Sequence, residues 1–139
     1  MKTSKAIGLV LAGSLVIAGC ATMGGAPTRF SDGVLVDSAG MTLYTFDKDP
    51  AGSGKSMCID SCAAIWPPFK ATAEGKPHGD YTVITRADGS RQWAHKGKPL
   101  YLWVKDQKPG DKTGDGFDKV WHVVNQEYAP MQSPTPGGY

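Results

Sequence analysis

The chain has 139 residues, a formal net charge of +2, 40% hydrophobic and 20% charged residues, 18 Gly, 10 Pro and three Cys. That is the size of one ordinary domain, which argues against a multidomain enzyme. Exported proteins usually pair their thiols, so an odd cysteine count demands a separate purpose for one of them.

The N-terminus supplies that purpose. Lys2 and Lys5 form a short basic region ahead of the uncharged run Ala6 to Ala18. Spanning a bilayer takes about 20 apolar residues, so this run reads as an export signal rather than a membrane helix. It ends in Ile17, Ala18, Gly19 and Cys20 and resembles the bacterial lipobox, in which a signal peptidase cuts just before a cysteine that carries diacylglycerol. A soluble export signal followed by a chance cysteine is the plainer alternative. Removing residues 1–19 leaves 120 residues and takes away two lysines, so the mature chain balances 13 basic against 13 acidic side chains. No polybasic run follows Cys20, so nucleic acid is not an expected partner. The expected membrane contact is the Cys20 lipid itself. Because Ala21 rather than Asp follows the cysteine, lipoprotein sorting rules imply the outer membrane if the cell has two.

Residues 20–29 read as a flexible tether, since Ala21 to Arg29 is rich in Gly, Ala, Thr and Pro and lacks periodicity. Ten such residues reach about 17 to 19 Å as a coil. Residues 30–129 are expected to form the domain, and Pro130 to Tyr139, with three Pro and two Gly, a frayed tail. Gly33 to Asp37 and Met41 to Phe46 read as strands around the turn Ser38, Ala39, Gly40. Tyr81 to Thr85 and Gln92 to His95 flank Ala87, Asp88, Gly89, Ser90, a hairpin signal because Asp-Gly readily supplies positive φ. Pro99 to Val104 and Lys119 to Val124 complete about six strands. Only Cys58 to Trp66 reads as helical, and Pro67 and Pro68 would end that helix at once.

The chain repeats itself. Gly40, Leu43, Tyr44, Phe46 and Asp49 match Gly97, Leu100, Tyr101, Trp103 and Asp106 at a constant offset of 57. Downstream, Cys62 and Trp66 match the spacing of Phe117 and Trp121. Two copies, about 33–69 and 91–124, would bury one shared core that neither could fill alone. The expected architecture is therefore mainly β: a compact, pseudo-duplicated antiparallel domain with one short helix.

Within each copy the pattern is Tyr, any, aromatic, any, any, Asp. Period-two alternation puts Tyr44 with Phe46, and Tyr101 with Trp103, on one face and Leu43, Thr45, Leu100 and Leu102 on the other. Asp49 and Asp106 fall past the strand ends, where an Asx turn would hold each loop. One reading is a pair of aromatic binding faces with a carboxylate at each mouth; the other is a core aromatic ladder with turn caps, which whole duplication favours.

Together with Cys58, Cys62, Trp66, Pro67, Pro68 and the lipobox, this doubled motif resembles the bacterial predicted lipoproteins built from a "secreted repeat of unknown function". The resemblance covers roughly Gly33 to Val124. It implies an envelope lipoprotein with two repeats and brings no activity, substrate or catalytic residues with it.

Cys58 and Cys62 have three residues between them in an oxidising compartment, where a disulfide is the default. On a regular helix their Cα atoms would be about 6 Å apart, toward the long end of disulfide geometry. So small a loop stabilises by only about 2 kcal/mol. A sharper alternative is copper or thiol-redox chemistry, for which Met57, Cys58 and Cys62 offer a thioether and two thiolates. Asp111, Thr113, Asp115 and Gly116 imitate the start of a calcium loop, but His122 occupies the twelfth position, where Glu would be needed, with Asp118 nearby. His95 and His122 fall in strands beside tryptophans, as structural histidines do. No common hydrolase, zinc or P-loop motif occurs, so no catalytic residue is assigned. No resident cofactor is expected. The functional expectation is a binding or structural module that contacts an envelope protein, a glycan or a small ligand, with copper or thiol-redox chemistry at Cys58 and Cys62 as the alternative.

Overall fold

A computed structural model of the protein describes residues 25–127 and, apart from them, Gly13. The export signal (apart from Gly13), Cys20, residues 21–24 of the tether, residues 128 and 129, and the tail from residue 130 lie outside the described residues. No helix among the described residues is long and apolar enough to cross a membrane.

Among the described residues, seven strands and one α-helix follow in order: β1 Thr28–Ser31, β2 Val34–Asp37, β3 Tyr44–Phe46, α1 Ser61–Ile65, β4 Tyr81–Thr85, β5 Arg91–His95, β6 Lys98–Pro99 and β7 Trp121–Val123, with a 3-10 turn at Phe117–Lys119 before β7. All pairing is antiparallel, in sheets ordered β1-β2, β3-β7 and β4-β5-β6. The β4–β5 hairpin forms as its Asp-Gly turn predicts, with Gly89 at φ 83°. β1 begins at Thr28, two residues inside the stretch that composition assigns to the tether. It makes a second hairpin with β2, closed by Asp32 and Gly33 in the left-handed region. β1–β2 and β4–β5 therefore open the two repeats in the same way.

Four expected elements are shorter in the structure. Met41 to Phe46 is strand only at Tyr44–Phe46, and Lys119 to Val124 only at Trp121–Val123. The helix starts at Ser61 rather than Cys58, because Asp60 takes φ 53° and no side chain caps the helix start. Of the stretch Pro99 to Val104 only Pro99 is regular strand, as the end of β6 Lys98–Pro99, and Tyr101 is shared between two separate bridge partners, Tyr44 and Pro68.

The repeats interlock. Each sends its closing segment onto the other's sheet: the Phe69 amide donates to the Leu100 carbonyl (2.8 Å) and accepts at its own carbonyl from Trp93 N–H (2.9 Å). In the pseudo-equivalent place, Val124 N–H donates to Leu43 (3.4 Å) and the Val124 carbonyl accepts from Leu35 (2.8 Å). At the centre, Tyr44 and Tyr101 exchange backbone hydrogen bonds, 2.9 Å each way, which marks the pseudo-twofold axis.

Alternation along the motif strands divides the core as the sequence predicts. Tyr44, Phe46, Tyr101 and Trp103 join Cys58, Trp66 and Trp121 in one cluster. Leu43 and Leu100 join Leu35, Phe69 and Trp93 in the other, with Leu102 packed against it.

Candidate functional site

The four motif aromatics are buried, Tyr44 and Tyr101 completely. Their hydroxyls cross between repeats: Tyr44 donates to Asp106 Oδ2 and Tyr101 to Asp49 Oδ2, both at 2.6 Å. Each carboxylate uses its second oxygen to hold its own loop. Asp49 Oδ1 accepts from the Met57 amide (2.6 Å), and Asp106 Oδ1 accepts from the Thr113 amide (2.9 Å) and hydroxyl (2.6 Å). The aspartates thus brace loops seven or eight residues ahead rather than closing local Asx turns. Burial, reinforced by the bond to a carboxylate, pushes both phenols well above their ordinary value. Burial also raises Asp49, against the opposing pull of Tyr101, the Met57 amide and Arg86.

The aromatic cluster is a continuous stack. Phe46 lies on Trp121 (centroids 4.3 Å), Trp121 on Trp66 (3.8 Å, interplanar 3°), and Trp66 on Trp103 (4.0 Å). Contributions alternate between repeats, so exchanging the halves maps the stack onto itself. Tyr44 and Tyr101 meet Trp66 and Trp121 edge-on, each at 5.2 Å. Both faces of the inner tryptophans are covered. The Trp66 and Trp103 indole N–H groups are buried without a hydrogen-bond partner, a cost set against the stacking energy.

The Cys58–Cys62 disulfide is present, with Cα atoms 5.2 Å apart. Cys58 is fully buried and Cys62 half-buried. In the second repeat Phe117 stands in place of Cys62 and packs on Trp103 (5.0 Å) and Trp66 (5.9 Å). Beside the disulfide runs an open groove of about 480 Å³, lined by Cys62, Ile65, Phe117, Val120 and the margins of Phe46 and Trp121, with Lys48 and Asp118 also along it. Ile65 and Phe117 are exposed there.

The sequence gives no sign of the part Arg86 plays. Its guanidinium is buried and donates to Ser56 Oγ (2.8 Å), Gln92 Oε1 (2.7 Å) and the Cys58 carbonyl (2.7 Å). Ser56 in turn meets the Tyr101 hydroxyl at 2.6 Å. A polar chain therefore runs from Asp49 through Tyr101, Ser56 and Arg86 to the disulfide loop.

The calcium-like residues do not converge. Asp111 Oδ2 accepts from the Gln107 and Lys108 amides, Asp115 Oδ1 accepts from Val123 N–H, and Thr113 serves Asp106. His122 pairs with Asp47 at 2.8 Å. Among the described residues no group of three His, Cys, Asp or Glu side chains could hold a metal ion. Met57 is exposed while Cys58 is buried, and the Cys58 and Cys62 sulfurs are tied up in the disulfide, so copper ligation by this trio would first require reduction.

Residues 29–70 and 82–125 each match the family model described as a secreted repeat of unknown function. The two matched stretches begin in the two hairpins and end in the two exchanged segments, as the interlocked halves require. No curated protein and no solved structure matches the chain.

Proposed function

Since the chain belongs to the family of secreted repeats of unknown function, matched over more than half its length, we propose that it is an envelope lipoprotein, held by a lipid on Cys20, whose interlocked domain is a non-catalytic scaffold that contacts another envelope protein. The observation that carries this reading is the use made of the doubled motif. Its hydroxyls and carboxylates are spent on one another across the repeats, and its rings on the stack. Among the surfaces left over, the groove beside the disulfide is apolar at Ile65, Phe117 and Val120. A sugar ring stacks on an open aromatic face, and the inner tryptophans have none to offer, so the groove suits apolar side chains of a protein better than a glycan.

The anchor is tested in cells. Metabolic labelling with a fatty acid is expected to mark the wild-type chain, which should enter the detergent phase on phase separation. Cys20→Ser is expected to lose the label and the partitioning. An unlabelled wild-type protein would refute the anchor.

A further inference from the structure

We propose that the Cys58–Cys62 disulfide is an exchange site for the dithiol of an envelope oxidoreductase, with Cys62 the sulfur attacked and Cys58 the sulfur released. The idea rests on the groove being a protein-contact surface and adds what the contacting protein carries. Three observations support it.

First, the bridge is a small local part of what holds its corner. The second repeat builds the same corner with Phe117 where Cys62 stands, and so short a loop stabilises by only about 2 kcal/mol. Second, the sulfurs are unequal. Cys58 is fully buried in the aromatic cluster, whereas Cys62 is half-buried and lines the groove, with exposed Ile65 and Phe117 beside it. Thiol exchange depends on which sulfur an attacking thiolate can reach, and an apolar rim is what a protein bearing that thiolate would dock on.

Third, the two residues are held differently. Asp49 fixes the amide before Cys58, and Arg86 fixes the Cys58 carbonyl. Cys62 rides on the five-residue helix α1, which has no side-chain cap and no buried residue. Cys58 is thus fixed on both sides by buried side chains, while Cys62 is held by backbone bonds, from its N–H to the Ile59 carbonyl and from Trp66 N–H to its own carbonyl.

The step balances. The partner's thiolate attacks Cys62 Sγ, forming a mixed disulfide as the Cys58–Cys62 bond breaks. Cys58 leaves as a thiolate and takes up a proton. The partner's second thiol then attacks its own sulfur in the mixed disulfide and releases Cys62. Two electrons and two protons end on Cys58 and Cys62, and the partner is left as a disulfide.

The test uses the mature-length chain carrying Cys20→Ser, so that only this pair is counted. Adding Cys58→Ser leaves Cys62 alone, and adding Cys62→Ser leaves Cys58 alone. Reaction with an aromatic disulfide reagent that releases thionitrobenzoate is expected to be at least about tenfold faster at Cys62 in the folded proteins, with the difference vanishing in denaturant. Equal rates, or a faster Cys58, would overturn the assignment. Should either variant fail to fold, the intact pair decides. Brief exposure to reduced glutathione followed by alkylation and peptide mass analysis is expected to place the glutathione adduct on Cys62. Reduction by dithiothreitol should leave the near-UV circular dichroism of the stack unchanged. An adduct on Cys58, or reduction only with loss of that signal, would overturn the proposal. Small thiol probes need no docking surface, so failure here would leave the protein-contact reading of the groove standing.

Discussion

At the scale of single residues, the tyrosines of the motif are held by both burial and a hydrogen bond. Each is fully buried, and each hydroxyl donates to a buried carboxylate of the other repeat. Tyr44→Phe leaves Asp106 buried with one acceptor unmet and is expected to cost about 1.5 to 3 kcal/mol in urea unfolding. Ionisation gives a second readout. Both phenols titrate above their ordinary value of 10.0 in the folded protein, because burial and the carboxylate disfavour the phenolate. Their contribution to stability is therefore fully present below pH 10.0 and is lost as the pH rises above it, where the unfolded chain releases protons that the folded one keeps. An alkaline titration should show the phenolate absorbance of this pair rising together with loss of near-UV dichroism. Phenolate formation by both at the ordinary value in a folded protein would contradict the account. Alternation alone put Tyr44 with Phe46 and Tyr101 with Trp103 on the face that forms the aromatic cluster, though not their edge-on partners Trp66 and Trp121. It did not show that each hydroxyl serves the other repeat, since nothing in a linear pattern tells which Asp a Tyr will meet. Arg86 was illegible for a related reason: an arginine after a hairpin strand normally faces solvent, and only its fit among Ser56, Gln92 and Cys58 buries it.

At the scale of elements, the stack depends on how closely the loop before the 3-10 turn approaches it. A Cβ on Gly114 would lie 2.6 Å from Trp66 Cη2 and 3.0 Å from Trp103 Cγ, so glycine is needed there for space rather than for its φ. Gly114→Ala is expected to wedge the rings, cost about 1 to 3 kcal/mol and reduce the near-UV dichroic signal of the coupled indoles. An unperturbed spectrum would contradict the packing. The strands legible from alternation and turn chemistry, such as β4 and β5, formed where expected. β1 was missed because Thr28 and Arg29 follow a Gly, Ala and Pro stretch and show no period of their own. What makes them a strand is the partner β2 across a turn with Asp32 and Gly33 in the left-handed region. The helix came out short because local backbone at Asp60 overrides the propensity of the residues before it.

At the scale of the whole molecule, the repeats form one folding unit rather than two. Each closing segment pairs with the other repeat, and the stack alternates between them, so separating the halves would expose most of both clusters. Residues 25–80 and 81–127, made as separate chains, are each expected to lack a cooperative unfolding transition. A cooperative transition in either would contradict the interlock. The duplication itself was plain in the sequence from the constant offset of 57, and so was the prospect of a shared core. The exchange of segments was not, because side-by-side and interlocked halves carry the same hydrophobic pattern.

The central claim is that the doubled motif is a cross-repeat brace. Double-mutant cycles by urea unfolding test it most directly, pairing Tyr44→Phe with Asp106→Ala, Tyr101→Phe with Asp49→Ala, and Tyr44→Phe with Asp49→Ala. The first two cycles are expected to give coupling of about 1 kcal/mol or more, and the third, within one repeat, less than about 0.5 kcal/mol. Coupling confined to the within-repeat pair, with additive cross-repeat pairs, would contradict the account.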